Sequence, residues 1–172
     1  YTYLTTNSNG CDSTATLILT IIEPPTVNAG QDDTICSDTS YIVSGSSSNT
    51  IPNSNPGYTV LWDAIDGGSS QFVYDYQHNT RFYPNSTQID SGYAVLILTA
   101  YGNPPCGNVS DTMILTINDT SSGTSTIVAC DSFIWEGQTI TSSGSYTQIL
   151  PNAAGCDSTA TLNLTINPST TS

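Results

Sequence analysis

The chain has 172 residues and a formal net charge of −13, with only 9% charged residues. Lys is absent and Arg81 is the sole basic residue, so no surface can neutralise a row of phosphates or an anionic lipid face. These facts argue against nucleic acid as a partner, and the lack of any apolar run near 20 residues argues against membrane insertion.

The first stretch, 1–22, ends in a string that returns later. "GCDSTATL" stands at 10–17 and again at 155–162, and the match extends without gaps from "YTYLTTNSNGCDSTATLILTI" (1–21) to "YTQILPNAAGCDSTATLNLTI" (146–166). An internal repeat is the reading. The later copy has a front half, "ACDSFIWEGQTITSSGS" (129–145), which the first lacks. Residues 1–22 therefore read as the C-terminal half of a small β module whose front half precedes Tyr1, in a window cut from a longer polypeptide.

Glu23-Pro24-Pro25 links this half-module to a larger unit, 26–118. Its expected strands are 33–37, 41–46, 59–65, 71–76, 80–84, 93–102 and 111–118, separated by Gly, Pro and Asn turn signals. Seven short strands predict an immunoglobulin-like β-sandwich, with Trp62 buried on the third strand. "DSGY" (90–93) has the look of a tyrosine corner ahead of the longest apolar strand. After a linker at 118–126, residues 124–167 read as a complete small β module. In "TATLNLTI" the residues Ala160, Leu162, Leu164 and Ile166 share one face, opposite Thr161, Asn163 and Thr165. Trp135 supplies core bulk, four or five strands form a small antiparallel sheet, and 168–172 lead onward to a next module. The expected fold class is all-β, a tandem array of a sandwich and small disulfide-stapled modules.

Five cysteines are present. Within the complete module Cys130 can pair with Cys156, which leaves Cys36 with Cys106 in the sandwich. Cys11, the counterpart of Cys156, would then bond a Cys before Tyr1. No Cys-x-x-Cys spacing exists and His78 stands alone, so zinc has no ligand set. Disulfides imply an oxidising, extracellular setting.

No catalytic pattern emerges. His78 has no nucleophile at a telling spacing, and the carboxylates Asp63 and Asp66 sit where a strand turns. The chain is expected not to be an enzyme and to need no cofactor. Asp32, Asp33 and Asp119, near the linkers, are candidates for Ca2+, the hard cation that oxygen clusters hold. Exposed aromatics in "QFVYDYQHNTRFY" (71–83), with Tyr74, Tyr76 and Tyr83 foremost, are candidates for contact with a surface polysaccharide.

The string "ACDS…GCDSTATLNLTI" resembles a repeat of very large cell-surface proteins of Bacteroidota, similar to gliding adhesins exported by type IX secretion. The sandwich is similar to the PKD-like repeats of the same proteins. The resemblance spans nearly the whole chain. It implies a structural repeat of a long extracellular stalk, adhesin or filament, whose partners are neighbouring repeats and, in a fibre, other copies. The alternative is a carbohydrate- or surface-binding module. It also implies O-glycans at Asp-(Ser/Thr) sites, here Ser13, Thr34, Thr112 and Ser158, making the protein a glycoprotein.

Overall fold

A computed structural model of the chain describes residues 1–53 and 57–170. Positions 171 and 172 of the expected onward linker lie outside the described residues. The chain is all-β, with one short helix and one 3-10 turn among the described residues.

The N-terminal hairpin consists of β1 (Thr2–Thr6) and β2 (Asp12–Thr16). The sandwich follows with β3 (Thr26–Asn28), β4 (Asp33–Cys36), β5 (Tyr41–Ser44), β6 (Ser46–Ser48), β7 (Val60–Ala64), β8 (Asn79–Phe82), α1 (Ser86–Ser91), β9 (Tyr93–Ala100) and β10 (Val109–Asn118). One sheet has the order β4-β10-β9-β7, with β4 parallel to β10 and the other pairs antiparallel. The facing layer pairs β3 with β6 and β5 with β8, so that β5 and β6, either side of Gly45, bridge its two pairs. A first strand that starts in one layer and continues in the other beside the last strand is the immunoglobulin-like arrangement.

Alternation fills the space between the layers. Val60, Trp62 and Ala64 of β7, Ala94, Leu96, Leu98 and Ala100 of β9, and Met113, Leu115 and Ile117 of β10 point inward against Val43 and Phe82. Burying the Val, Leu, Ile, Met and Phe side chains among them contributes about 1.5–3 kcal/mol each. Trp62 is fully buried, and its indole N–H donates to the carbonyl of His78 at 3.2 Å. Gly45 lies so close to Trp62 and Leu98 that a Cβ would strike both.

The segment that changes sheets, between β3 and β4, has few ladder partners for its amides. A carboxylate supplies one, Asp111 Oδ2 accepting from Ala29 N at 2.8 Å, and the segment in turn offers Asp32 Oδ1, which accepts from Ile114 N of β10 at 2.7 Å. The connection after β8 is α1, capped by Asn85 and ended by Gly92 in the left-handed conformation, φ 78°. Buried Gln88 fixes it through reciprocal amide bonds with Gln71, and its Nε2 also donates to Ile65 O. Asp90 and Ser91 are thus helical, and Tyr93 is half-exposed at the start of β9, so the expected tyrosine corner is not built. The strand expected at 71–76 is instead a 3-10 turn (Ser69–Gln71) and bends, with Phe72 buried as an anchor.

The C-terminal module comprises β11 (Ser121–Cys130), β12 (Phe133–Trp135), β13 (Gln138–Ile140), β14 (Gly144–Pro151) and β15 (Asp157–Asn167). Its sheet is β11-β15-β14, with β12 and β13 as a separate hairpin. Contrary to the antiparallel expectation, β11 runs parallel to β15, from Ser121↔Ser158 to Cys130↔Asn167. Ile140, Leu162 and Leu164 are buried, and Trp135, Phe133, Tyr146 and Ile166 pack around them.

The repeat is a structural one. In β1–β2 Thr2 faces Thr16, and in β14–β15 Thr147 faces Thr161, which is the same register 145 residues on. The turns also agree. Asn7 Oδ1 accepts from Asn9 N and Cys11 N, and Asn152 Oδ1 accepts from Ala154 N and Cys156 N. Gly10 (φ 75°) and Gly155 (φ 82°) occupy the left-handed position that this turn requires.

Candidate functional site: the sulfur-linked junction

The feature that sequence spacing did not anticipate is a disulfide between Cys36 and Cys156, with Cα atoms 5.6 Å apart. It joins the end of β4 in the sandwich to the β14–β15 turn in the module. Cys11, Cys106 and Cys130 are free.

Both expected pairings are therefore corrected, and for one geometric reason. Cys36 faces Asn118 at the end of β10, whereas Cys106 precedes the start of β10 at Val109. At about 3.4 Å per residue the two lie roughly 30 Å apart, far beyond the Cα separation of about 7 Å that a disulfide tolerates. In the module, Cys156 lies just before Ser158, which faces Ser121 at the start of β11, while Cys130 is at that strand's other end. That separation is again roughly 30 Å. Neither unit is closed by a bridge of its own; each carries one cysteine near each end.

Around the bond, the junction is tightly hydrogen-bonded. The strands β10 and β11 are separated only by Asp119 and Thr120. Ser37 N donates to Asn118 O at 2.9 Å, and Thr120 N donates to Ser37 Oγ at 3.3 Å. Asn152 Nδ2 donates to Asp119 O at 2.9 Å, and Cys156 Sγ lies 3.7 Å from Asn118 O. Cys156 is 1% exposed, so the cystine is sealed between the units at its module side. Asn152 and Ser37 were not anticipated as site residues. The signal for Asn152 was present, since Asn-x-x-Gly-Cys occurs at both 7–11 and 152–156.

The calcium candidates do not converge. Asp32 is engaged with Ile114 N, and Asp33 accepts from Thr34 N and from the Tyr41 hydroxyl, both within 2.8 Å. The Thr34 amide first, then the Tyr41 hydroxyl, hold the Asp33 carboxyl below its ordinary value. Burial first, and then Asp33, push the Tyr41 phenol up to about 12. The two line a cleft of about 340 Å³ with Asp32 and Met113. Asp119 offers its backbone carbonyl to the junction instead. Among the described residues no three His, Cys, Asp or Glu side chains gather as a metal site would need.

The other candidates are spread out. Phe72 and Phe82 belong to the core, while Tyr74 and Tyr83 are 51% and 53% exposed. Tyr58 stacks on Tyr76 at 4.2 Å, and Tyr74 meets Tyr76 edge-on at an interplanar angle of 61°, so these rings form a cluster but no flat row. Thr34 and Thr112 are exposed, and Ser13 and Ser158 are half-buried. His78 Nε2 bonds Ser47 Oγ at 2.7 Å, and Asp63 binds the amide of Ala64. His78 is thus paired with a serine hydroxyl, whereas Asp63 is engaged by a backbone amide.

No family model matches the chain, and no curated protein does. Among solved structures it is similar to titin domain M7, at 18% identity over 58% of this chain and 98% of that one, TM-score 0.35. It is also similar to Rst D1-D2, at 10% identity over 84% and 100%, TM-score 0.42. The titin I-band fragment I67-I69 aligns at 16% identity over 94% of this chain and 71% of that one, TM-score 0.40.

Proposed function

We propose that the chain is a spacer segment of a long extracellular stalk, adhesin or filament on a bacterial cell surface. One observation carries this reading: two folded units meet through a two-residue connector and a cystine that spans them. Such a double attachment holds successive domains in one relative orientation, which is what a spacer needs. A disulfide persists in oxidising compartments, which supports a location outside the cytoplasm. The near absence of basic residues leaves an acidic, hydroxyl-rich surface that repels its own copies and stays soluble. O-glycans on exposed Thr34 and Thr112 would add to that shielding.

Antibody raised against the chain should label intact, unpermeabilised cells of the source organism. Labelling that appears only after lysis would remove the proposal. A carbohydrate-binding role rests on the cluster of Tyr58, Tyr74 and Tyr76, and has less support because Tyr58 is stacked on Tyr76 and Tyr74 stands edge-on to it, so the three present no flat row. A glycan array separates the two roles: specific retention of one glycan class, lost in Tyr74→Ala, would favour binding.

A further inference from the structure

The three free cysteines have places that match one another. Cys106 lies at the end of the sandwich where the chain enters it, its Sγ 3.6 Å from the carbonyl oxygen of Ile22. Cys130 lies at the far end of the module, facing Asn167 in the β11–β15 ladder. Asn167 and Ile22 are the same repeat position, 145 residues apart, as the common hairpin register shows. A front half of the Ser121–Ser145 type seated on the N-terminal hairpin would therefore place its "ACDS" cysteine about 5 Å from Ile22 in Cα terms. That is where the Cys106 sulfur already points.

The hairpin is shaped to take such a segment. Leu162 and Leu164, buried in the module, correspond to Leu17 and Leu19, which are 61% and 62% exposed. Strand β15 runs on to Asn167 beside β11, whereas β2, which has no such neighbour, ends at Thr16. The module shows directly what covers this face: a parallel strand ending in Ala-Cys-Asp-Ser, followed by a short hairpin.

We propose that Cys106 forms an interdomain disulfide with the "ACDS" cysteine of a module segment joined ahead of Tyr1 and docked on the β1–β2 hairpin. Cys130 is the same bond's other half, kept for the sandwich that follows. Cys11, the counterpart of Cys156, bonds the Cys36 position of a preceding sandwich. All five cysteines are then interdomain, and every junction in an alternating array is closed by one cystine. The oxidant is a small disulfide such as oxidised glutathione. The Cys106 thiolate attacks it, one glutathione leaves as thiol, and the second cysteine displaces the other glutathione to form the S–S bond.

The inference rests on the reading of the chain as an array segment, and the test separates the two. A copy of residues 121–145 is fused ahead of Tyr1 of the full chain, and the product is refolded in a glutathione redox buffer. Non-reducing peptide mapping should find Cys36–Cys156 intact and Cys106 bonded to the copied cysteine, so that of the four thiols in the fused chain only Cys11 and Cys130 stay free. Hydrogen exchange should show new protection over residues 12–22. Protection with Cys106 still open to alkylation, or with Cys106 bonded to Cys11, overturns the inference and leaves the array. Absence of protection overturns both. Cys106→Ser in the fused chain should keep the protection and leave the copied cysteine free.

Discussion

Removing the Cys36–Cys156 bond should melt the C-terminal module while the sandwich stays folded. With the sandwich intact, Cys36 is held beside Asn118, so the loop that the bond closes in an unfolded module runs from Asn118 to Cys156, about 38 residues. Chain-entropy arithmetic for a loop of that length gives about 4 kcal/mol of stabilisation, close to a thousandfold in the opening equilibrium. The module has little to set against that loss, because only Ile140, Leu162 and Leu164 form its buried apolar centre and units of this size are marginal. Hydrogen exchange on a Cys36→Ala, Cys156→Ala double variant reads the effect locally. Protection of the Leu162 and Leu164 amides should fall by about two to three orders of magnitude, while that of Leu96 and Leu98 in β9 stays unchanged. A fall of less than tenfold in β15 would refute the argument that the sandwich lends stability through sulfur.

Four further outcomes are expected. Leu162→Ala should cost about 2–5 kcal/mol in chemical denaturation, whereas Leu17→Ala, at the same repeat position but exposed, should change stability by less than about 0.5 kcal/mol. Gly45→Ala should destabilise the sandwich by about 1–3 kcal/mol, because the new methyl meets Trp62 and Leu98. Tyrosine absorbance at high pH should contain a late component near 12, absent in Tyr41→Phe and only partly lowered in Asp33→Asn, since burial is the larger cause. The raised Tyr41 value favours the folded state fully below pH 10 and fades as pH climbs through about 12, while the lowered Asp33 value contributes above about pH 4 and is lost on acidification beneath it. Chelator should leave the melting temperature unchanged, because Asp32 and Asp33 are committed to internal donors; a drop of several degrees would restore calcium to the account.

Strong periodicity made β9, β10 and β15 legible, because one face of each is buried and the other wet. The buried Trp62 and the repeated Asn-to-Cys turn were legible for related reasons: one large apolar residue in an alternating run, and one identical string. The strand β6 was not, since three serines carry no period and its place is set by pairing with β3. Nor was α1, five polar residues and Ile89, whose position depends on Gln88 meeting Gln71. "QFVYDY" alternates well enough to imitate a strand, yet only Phe72 goes inside. The cysteine pairing failed for a different reason. Connectivity is not fixed by sequence proximity, and cysteines of one unit stand at opposite ends of strands about 30 Å long.

The position of Cys156 at the very start of β15 decides how the module behaves when its two ends are pulled. A load arriving from the sandwich can pass through sulfur directly into Cys156 and leave at Asn167, along a strand that is already close to full stretch at about 3.3 Å per residue. Residues 119–155 are bypassed by that covalent path. They can lose their structure without paying out any length, so the module acts as a strap of fixed reach and not as a spring.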